Sequence, residues 1–448
     1  MSNDFWPGLH ADPWRQGHTS ASASAALTPD LLERWAPLAE QVHQRGKAQA
    51  LPFPLTHYAS PGRQFLGSDA TGRARQGVNF TSGDHLNLAT HPQVIAAAAA
   101  ALDHFGPHGA GTQDRTGRSA SAALLEAEIA AYAGFAETTL FPTGWNAGFA
   151  VVRTLVRRGD HVVAPAGLQG GIVEGIAASG ARLHRFRGPG TDQAAQRLAD
   201  LRAADAGAGI LLVVESLSGL DGHLADICAL QHLCHSCRAT LLLDVTPDFG
   251  AMGPGGLGVL ERQHLTGCAD VVIGDLSRVF AANGGFVASN HPALRCALRH
   301  GPSASGSVAP QAPAQVAAAG AALSIVVADE GAGRRARLMA TVLQLRNALD
   351  TAGFPPLGVP APVVLVAAGR GAAARKSTVA LQTAGVFALL VEAALVPGGQ
   401  SLWQFQVMAD HKPADIDCLV QALRSLGSPA GLARTQPVRP PPSGVQPP

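Results

Sequence analysis

Five short apolar runs, separated by segments of helical character, constrain the fold of this chain more than any other feature of its sequence. They are rich in Val, Ile and Leu and do not alternate with polar residues: HVVAP, GILLVVES, TLLLDVT, DVVIGDL and GGFVAS. Strands without polar alternation are buried on both faces, and helical segments between them imply crossover connections. The pattern therefore predicts an α/β core in which a mostly parallel sheet is covered by helices.

The composition indicates a large folded body and excludes several classes of function. The 448 residues are 47% hydrophobic and 15% charged, and 33 basic against 32 acidic side chains leave a formal net charge of +1. No cluster of Lys and Arg is dense enough to follow a nucleic-acid backbone. The N-terminus lacks the basic and apolar regions of a signal peptide, and no run of about 18 apolar residues occurs. We therefore expect a cytoplasmic protein with no nucleic-acid partner and no membrane span.

The six cysteines favour reduced thiols over a disulfide framework in a chain of this length. Cys234 and Cys237 form a CxxC near two histidines, but the pair lies near the end of a predicted helix, where the helix dipole disfavours a thiolate. No second ligand pair lies at zinc spacing. We expect structural thiols and no metal site.

The sequence pattern divides the chain into four segments. Residues 1–56 are an N-terminal arm with one amphipathic helix, and residues 57–300 contain the five apolar runs. Residues 301–427 change to long helical stretches with weaker strands, which predicts a smaller α+β domain. The Pro-rich residues 428–448 have no hydrophobic periodicity, and we expect them to form a disordered tail.

Ligands of open α/β sheets bind at the carboxyl ends of strands. Three groups of polar residues are candidates for such positions. Asp244 closes TLLLD, where it could pair with a protonated ring nitrogen or a cation, or could cap the following turn. Thr143 to Asn146, in FPTGWNAG, could form a turn into a helix that offers N–H groups to an anion. Asp275, Ser277 and Arg278 follow the run VVIG.

In this order and spacing the segments resemble the α-oxoamine synthase family, fold-type I pyridoxal-phosphate enzymes that condense an amino acid with an acyl thioester. The resemblance covers roughly residues 57–427 and rests on five stretches: NFTSGDHLNLATHPQV, ALLEAEIAAYAGFAETTLFPTGWNAG, ESLSGLDGHLADI, LLLDVTPDFGAMGPGGLG and GDLSRVFAANGGFVAS. It implies a large aminotransferase-like domain with a small C-terminal domain. It also implies a dimer whose sites lie at the subunit interface.

By this resemblance Arg278 stands where the family has the lysine that forms a Schiff base with its cofactor. A guanidinium with a pKa above about 12 cannot offer a neutral amine to an aldehyde. We therefore expect no pyridoxal phosphate on this chain, and in particular none bound covalently. The vestigial cofactor site implied by the family comprises Thr143, Gly144, Trp145, Asn146, Gln169, Asp244, Asp275, Ser277 and Arg278.

Other side chains that the family uses are also replaced, as the resemblance places them. A carboxylate now stands where a hydroxyl contacts the phosphate, and its negative charge opposes a phosphate dianion. The loop that reaches the neighbouring subunit's phosphate falls near residues 307–311. The replaced positions are Gln169 and Pro247 for two histidines, Gly219 for a serine, Asp275 for the hydroxyl, and Leu402 and Gln404 for the arginines of the substrate site.

Three functions remain open from the sequence. The first is a pseudoenzyme subunit, as a homodimer or a heterodimer with a lysine-containing paralogue, that partners or regulates an active relative. The second is an enzyme that transfers acyl groups from a CoA or carrier-protein thioester without pyridoxal phosphate, with Arg278 holding an anion and Asp244 as base. The third is a protein that binds pyridoxal phosphate without a covalent bond. The simplest alternative for Arg278 is a structural salt bridge to Asp244 or Asp275.

Overall fold

The computed structural model describes residues 30–427 except 61, 169, 188–190, 302–307, 394–395 and 397–398, and it describes 114 and 115 by their backbone alone. Most of the predicted N-terminal arm and all of the predicted disordered tail lie outside the described residues.

The strands, in chain order, are β1 Thr56–His57, β2 Gln64–Ser68, β3 Ala74–Phe80, β4 Glu137–Phe141, β5 His161–Pro165, β6 Arg182–Phe186, β7 Ile210–Glu215, β8 Thr240–Asp244, β9 Val271–Asp275, β10 Gly285–Ser289, β11 Val363–Gly369, β12 Val386–Val391 and β13 Ser401–Gln406. The α-helices are α1 Ala36–Lys47, α2 Pro92–Phe105, α3 Gln113–Thr116, α4 Ala120–Ala133, α5 Gly144–Leu155, α6 Gly171–Ser179, α7 Thr191–Ala204, α8 Ile227–Ser236, α9 Gly258–Arg262, α10 Pro292–His300, α11 Pro313–Val327, α12 Asp329–Thr351, α13 Gly371–Thr383 and α14 Pro413–Ser425.

The larger sheet contains seven strands in the order β4-β10-β9-β8-β7-β5-β6. Strands β9, β8, β7, β5 and β6 run parallel to one another, which confirms the predicted mostly parallel sheet. Strand β10 is antiparallel to both of its neighbours, β4 and β9. The reason is the connection from β9, residues 276–284, which is too short for the crossover that a parallel pair requires.

The central strands of this sheet are buried on both faces. In β7, Leu212 and Val214 join an apolar cluster on one face, while Leu211 and Val213 join a second cluster on the other. The strands β8 and β9 divide their residues in the same way. Because neither face meets water, the strands need no polar alternation, and this is why their sequences are continuous apolar runs.

The smaller sheet contains six strands in the order β1-β2-β3-β12-β13-β11. Its C-terminal strands are the three weaker apolar segments of the sequence. Strand β3 runs parallel to β12, with Val78 opposite Val386. The domain boundaries at residues 57 and 301 stay a prediction, and the pairing adds that residues 56–80 share a sheet with the C-terminal segment.

The long helical stretch after residue 312 forms two helices, α11 and α12. Ala328 between them has extended backbone angles, with φ −84° and ψ 171°, so the two axes diverge. In the part of the chain that the structure describes, no single helix is long and apolar enough to cross a membrane. Helices α11 and α12 together are long and apolar enough for a membrane span, but the pair is bent by 77° at Ala328.

Candidate functional site

Three acidic residues lie at the carboxyl ends of three adjacent parallel strands. Glu215 ends β7, Asp244 ends β8 and Asp275 ends β9, and Glu215 is the direct register partner of Asp244. Alternate residues before them in these strands belong to the second apolar cluster, so the three side chains project from the same face of the sheet. We call Glu215, Asp244 and Asp275 the acidic row, and the space beside them the cleft.

Asp244 is a largely buried member of this row. The N–H of Thr246 donates to Asp244 Oδ1 at 2.9 Å, which is the turn-capping contact expected from the sequence. Burial is the largest influence on the carboxyl and raises the pKa of Asp244, while the hydrogen bonds from Thr246 and the charge of Arg278 act in the opposite direction. A carboxylate has two oxygen atoms, and the bond from the N–H of Thr246 is to Oδ1. The carboxyl can therefore also accept a hydrogen bond from a protonated ring nitrogen or a cation.

Asp275 lies at the N-terminus of α5. A Cβ on Gly144 would be 2.5 Å from Asp275 Oδ2, so glycine is what allows the carboxylate to approach the helix. Thr143 caps the same helix, because its Oγ1 accepts the N–H of Asn146 at 3.1 Å. The N–H of Ser277 donates to Asp275 Oδ1 at 2.6 Å. The turn from Thr143 to Asn146 is thus a helix N-terminus, as the sequence predicts, with an anion of the chain itself beside it.

Arg278 is the basic residue of the cleft. Its side chain is half-buried and packs over Gly83, where a Cβ would be 3.2 Å from Arg278 Cγ. Its charge lowers the pKa of Asp244 and Glu215. Among the described residues, however, Arg278 has no hydrogen bond and no ion pair, so the salt bridge to Asp244 or Asp275 that the sequence suggested is not formed.

Glu215 is a site residue that the sequence reasoning missed. Burial raises its pKa to about 7, with the neighbouring Asp244 as the next largest cause. The signal was present, because Glu215 closes GILLVVE as Asp244 closes TLLLD, and parallel strands end at the same edge of a sheet. A carboxyl whose pKa is near neutrality can gain or lose a proton under ordinary conditions.

The other predicted site positions lie around the cleft or outside the described residues. Trp145 is 48% exposed and its ring stacks on Phe149 at 5.5 Å. Gln404 Nε2 donates to the carbonyl oxygen of Gly219 at 2.6 Å, so two positions where the resemblance places substituted family residues are bonded to each other. Pro247 and Leu402 are buried. Gln169 and residue 307 lie outside the described residues.

Lysine is nearly absent from the chain, and this too was a signal that the sequence reasoning did not use. The only lysines of the 448 residues are Lys47, Lys376 and Lys412, and all three are exposed. None occurs between residues 48 and 375, a range that contains every strand of the larger sheet. The acidic row and the turn at the start of α5 therefore have no amine from their own part of the chain.

Within the described ranges, no three His, Cys, Asp or Glu side chains come together in a way that could hold a metal ion. Cys234 is buried in α8 and Cys237 follows the last turn of the same helix, as the sequence predicts. Both are free thiols.

Comparison with known proteins defines the class. The chain matches the sequence model of the aminotransferase class I and II family over residues 75–423. It is 28% identical to 8-amino-7-oxononanoate synthase of Salmonella agona (strain SL483) over 370 residues. This aligned region covers 82% of this chain and 94% of that protein. It also shares its fold with a solved serine palmitoyltransferase that contains a pyridoxal-phosphate internal aldimine. The TM-score is 0.81 at 24% identity, and the match covers 90% of this chain and 100% of the other.

A second solved structure bears on the missing lysine. It is a lysine-to-alanine variant of serine palmitoyltransferase from S. paucimobilis with a bound pyridoxal-phosphate–myriocin aldimine. Its TM-score to this chain is 0.80 at 25% identity, over 89% of this chain and 99% of the other.

The fold is that of the serine palmitoyltransferase that contains pyridoxal phosphate, and the chain belongs to the aminotransferase class I and II family. Its relatives, 8-amino-7-oxononanoate synthase and serine palmitoyltransferase, are α-oxoamine synthases. The resemblance drawn from the sequence motifs is therefore confirmed.

The expectation that this chain carries no pyridoxal phosphate is wrong. Solved structures with this fold contain that cofactor, including the lysine-to-alanine variant. The residues present fit the group at both ends: Asp244 offers a buried carboxyl to the ring nitrogen, and the N-terminus of α5 suits a phosphate. The close approach of Asp275 to Gly144 means that this carboxylate would have to move for an anion to bind there.

Proposed function

We propose that this chain is an α-oxoamine synthase homologue that acts as the non-condensing subunit of an assembly with a lysine-bearing relative. The observation that carries the proposal is that Arg278 is beside the acidic row while no lysine occurs between residues 48 and 375. An amine has to lose its proton before it can attack an aldehyde. A guanidinium keeps its proton at every pH at which proteins are folded. A relative that supplies the amine completes the chemistry.

In this proposal pyridoxal phosphate is held in the cleft by reversible contacts. When bound, the cofactor supplies an aldehyde that condenses with amines and a pyridinium ring that withdraws electrons. Asp244 would accept a hydrogen bond from the ring nitrogen, and the positive charge there would favour the ionised carboxylate. Thr143 to Asn146 would hold the phosphate at the N-terminus of α5. Arg278 would stay charged beside them and form no bond to the cofactor aldehyde.

An apolar face on α2 supports subunit pairing. Ile95, Leu102 and Phe105 are 53%, 48% and 43% exposed, and their spacing places them on one side of the helix. Val94 and Ala101 of the same helix are buried against the fold. Contiguous exposed apolar side chains are typical of protein interfaces. The same face could pair with a second copy or with a paralogue, and the lysine-free cleft favours the paralogue.

The test is to produce the chain together with a tagged lysine-bearing family member from the same genome. We expect a heterodimer in size-exclusion chromatography with light scattering. Borohydride should fix the cofactor on the relative's lysine, and condensing activity should require the relative. The relative alone is the control that shows what this chain adds. A homodimer that ignores the relative and forms an aminoketone by itself would refute the proposal.

A second candidate is acyl transfer from a CoA or carrier-protein thioester without pyridoxal phosphate. It is favoured by the guanidinium of Arg278, which has no ion pair among the described residues and can therefore hold a ligand carboxylate or phosphate. Asp244 would act as the base because burial raises its pKa. Thiol release from acyl-CoA that is lost in Arg278→Met would support this candidate. No release, together with no thermal shift on adding acyl-CoA, would remove it.

A further inference from the structure

A cavity lies next to the acidic row, at the carboxyl ends of β5, β6 and β7 and beside the loop that follows β7. Its empty volume is about 740 Å³, which includes open solvent at the mouth. Glu215 is part of its wall, whereas Asp244 and Arg278 do not line it. The cavity therefore shares one residue with the acidic row, and its other lining residues lie outside that row.

Most of the cavity wall is apolar. The apolar residues come from the ends of β6 and β7, from the following loop and from α8: Phe186, Val214, Leu220, Leu224, Ala225 and Leu230. Arg187 and His223 at its edge are exposed to solvent, and Asp221 also lines it. A concave apolar wall with one buried acid suits a ligand that has an apolar body and a single polar head.

Glu215 lacks a strong partner for its negative charge. Within the described residues its one hydrogen bond comes from the N–H of Gly219, which donates to Glu215 Oε2 at 3.5 Å, the long limit for such a bond. Burial and the negative charges of Asp244 and Asp221 raise the pKa of Glu215, whereas the Gly219 bond and Arg278 lower it. The ionised carboxylate is therefore poorly compensated.

The charges around Glu215 favour an incoming cation. Asp244 on β8 and Asp221 on the loop after β7 both add negative charge, and Arg278 after β9 is the opposing positive one. Arg187 and His223 are exposed, where water screens them. No ion pair joins Glu215 to a basic side chain anywhere in the described part of the chain, so a ligand cation has no bound counter-ion to displace.

We propose that this cavity binds a small organic cation, a primary ammonium or guanidinium compound with an apolar body. Its charged head contacts Glu215 and its body packs against Leu220 and Leu224, which line the cavity from the loop after β7. A charge-assisted hydrogen bond to the carboxylate offsets the desolvation of both groups, and burial of the apolar body adds the hydrophobic contribution. The inference goes beyond the proposed function, because it holds whether or not the chain pairs with a relative.

The test is calorimetric titration of the full chain, without pyridoxal phosphate, using matched small compounds. Butylammonium and benzylammonium are the cationic probes, and butanol and butyrate have comparable apolar bodies without the positive charge. We expect the ammonium compounds to bind and butyrate not to bind. Glu215→Gln should weaken the ammonium compounds by at least about tenfold, because a neutral amide loses the charge-assisted bond. Glu174→Gln, the same change at an exposed position of α6, is the control and should leave the affinity unchanged.

A pH series gives a second measurement that does not depend on a substitution. The cation selects the ionised carboxylate, so affinity should rise about tenfold from about pH 6 to about pH 8 for a carboxyl whose pKa is about 7. Equal binding of butyrate and butylammonium, unchanged affinity in Glu215→Gln, or no binding of either ammonium probe at about pH 8 would overturn the inference. Co-purification of Glu215→Gln with the relative tests pairing separately, so a failure here is distinguishable from a failure of the proposed function.

Discussion

Asp275 Oδ2 lies 2.5 Å from the position that a Cβ would take on Gly144, so the carboxylate of one residue fills the space that a side chain on the other would need. The contact joins the end of β9 to the start of α5. A negative charge at a helix N-terminus is stabilised by the helix dipole. The chain thus places its own anion where an anionic ligand of this fold would bind.

Gly144→Ala should destabilise the fold by about 1–3 kcal/mol, because the new methyl group overlaps the Asp275 carboxylate. In an Asp275→Ala background most of this loss should disappear. Urea denaturation of the two single variants and the double variant measures the coupling. Gly285→Ala is the control, since its Cβ would meet the backbone of Gly144 and Thr143 and cannot be relieved by shortening Asp275. Additive effects of Gly144→Ala and Asp275→Ala would contradict the contact.

Arg278→Lys should create a covalent attachment point for pyridoxal phosphate. The substitution replaces a guanidinium by an amine that can lose its proton beside the acidic row. Peptide mapping after borohydride treatment should find the cofactor on residue 278 of the variant, with none at that position in Arg278→Met. Reaction at the exposed Lys47, Lys376 and Lys412 gives the background, which should be equal in all proteins. An Arg278→Lys protein without the adduct would show that the position does not face the aldehyde.

The free energy of unfolding should fall as pH rises from about 4.5 to about 7, and Glu215→Gln should reduce that fall. The pKa of Glu215 is raised to about 7 in the folded state, so the fold holds a proton that the unfolded chain has already released. The contribution is complete below the unfolded pKa and is lost as pH passes the folded one, by at most about 3 kcal/mol. Urea denaturation across this range measures it. Asp248, whose pKa is also raised to about 7, adds its own slope to both proteins. Parallel stability curves would contradict the prediction.

Ile95→Glu should weaken subunit pairing without unfolding the chain. Ile95 is 53% exposed on α2, so a charge there is tolerated in the single subunit but costs desolvation in an interface. Leu343→Glu on α12, at 51% exposure, is the matched control and should pair normally. Light scattering over a concentration series distinguishes the two. Equal dissociation of both variants would show that the α2 face is not the interface.

The fold could be predicted from the sequence where burial dictates the residues. The runs that became β5, β7, β8, β9 and β10 are apolar because both faces of these strands are covered. The edge strand β6 has no such pattern: its polar residues His184 and Arg185 are half-buried and bonded within the protein, where His184 contacts His161 and Arg185 donates to carbonyl oxygens after β5. Strand β4, at the other edge, likewise does not stand out as a continuous run.

The candidate site could be predicted only in part. Asp244, Asp275 and the turn at Thr143 follow from the rule that ligands bind at the carboxyl ends of parallel strands. Glu215 has the same position on its own strand, but its raised pKa depends on burial beside Asp244 and cannot be read from spacing. The cavity next to it depends on how the loop after β7 folds over the ends of β5 and β6.

The sequence by itself determined an α/β core with a mostly parallel sheet, because strand burial is a local property. It also determined that Arg278 follows the end of β9 and that no lysine occurs from 48 to 375. The aminotransferase fold followed from the resemblance of the motifs to a known family. Only the tertiary structure decided that Arg278 forms no ion pair with any described residue, that Asp275 approaches Gly144, and that Glu215 is part of a cavity wall. These relationships join residues far apart in the chain, and they depend on distances and desolvation that exist only after the strands have packed.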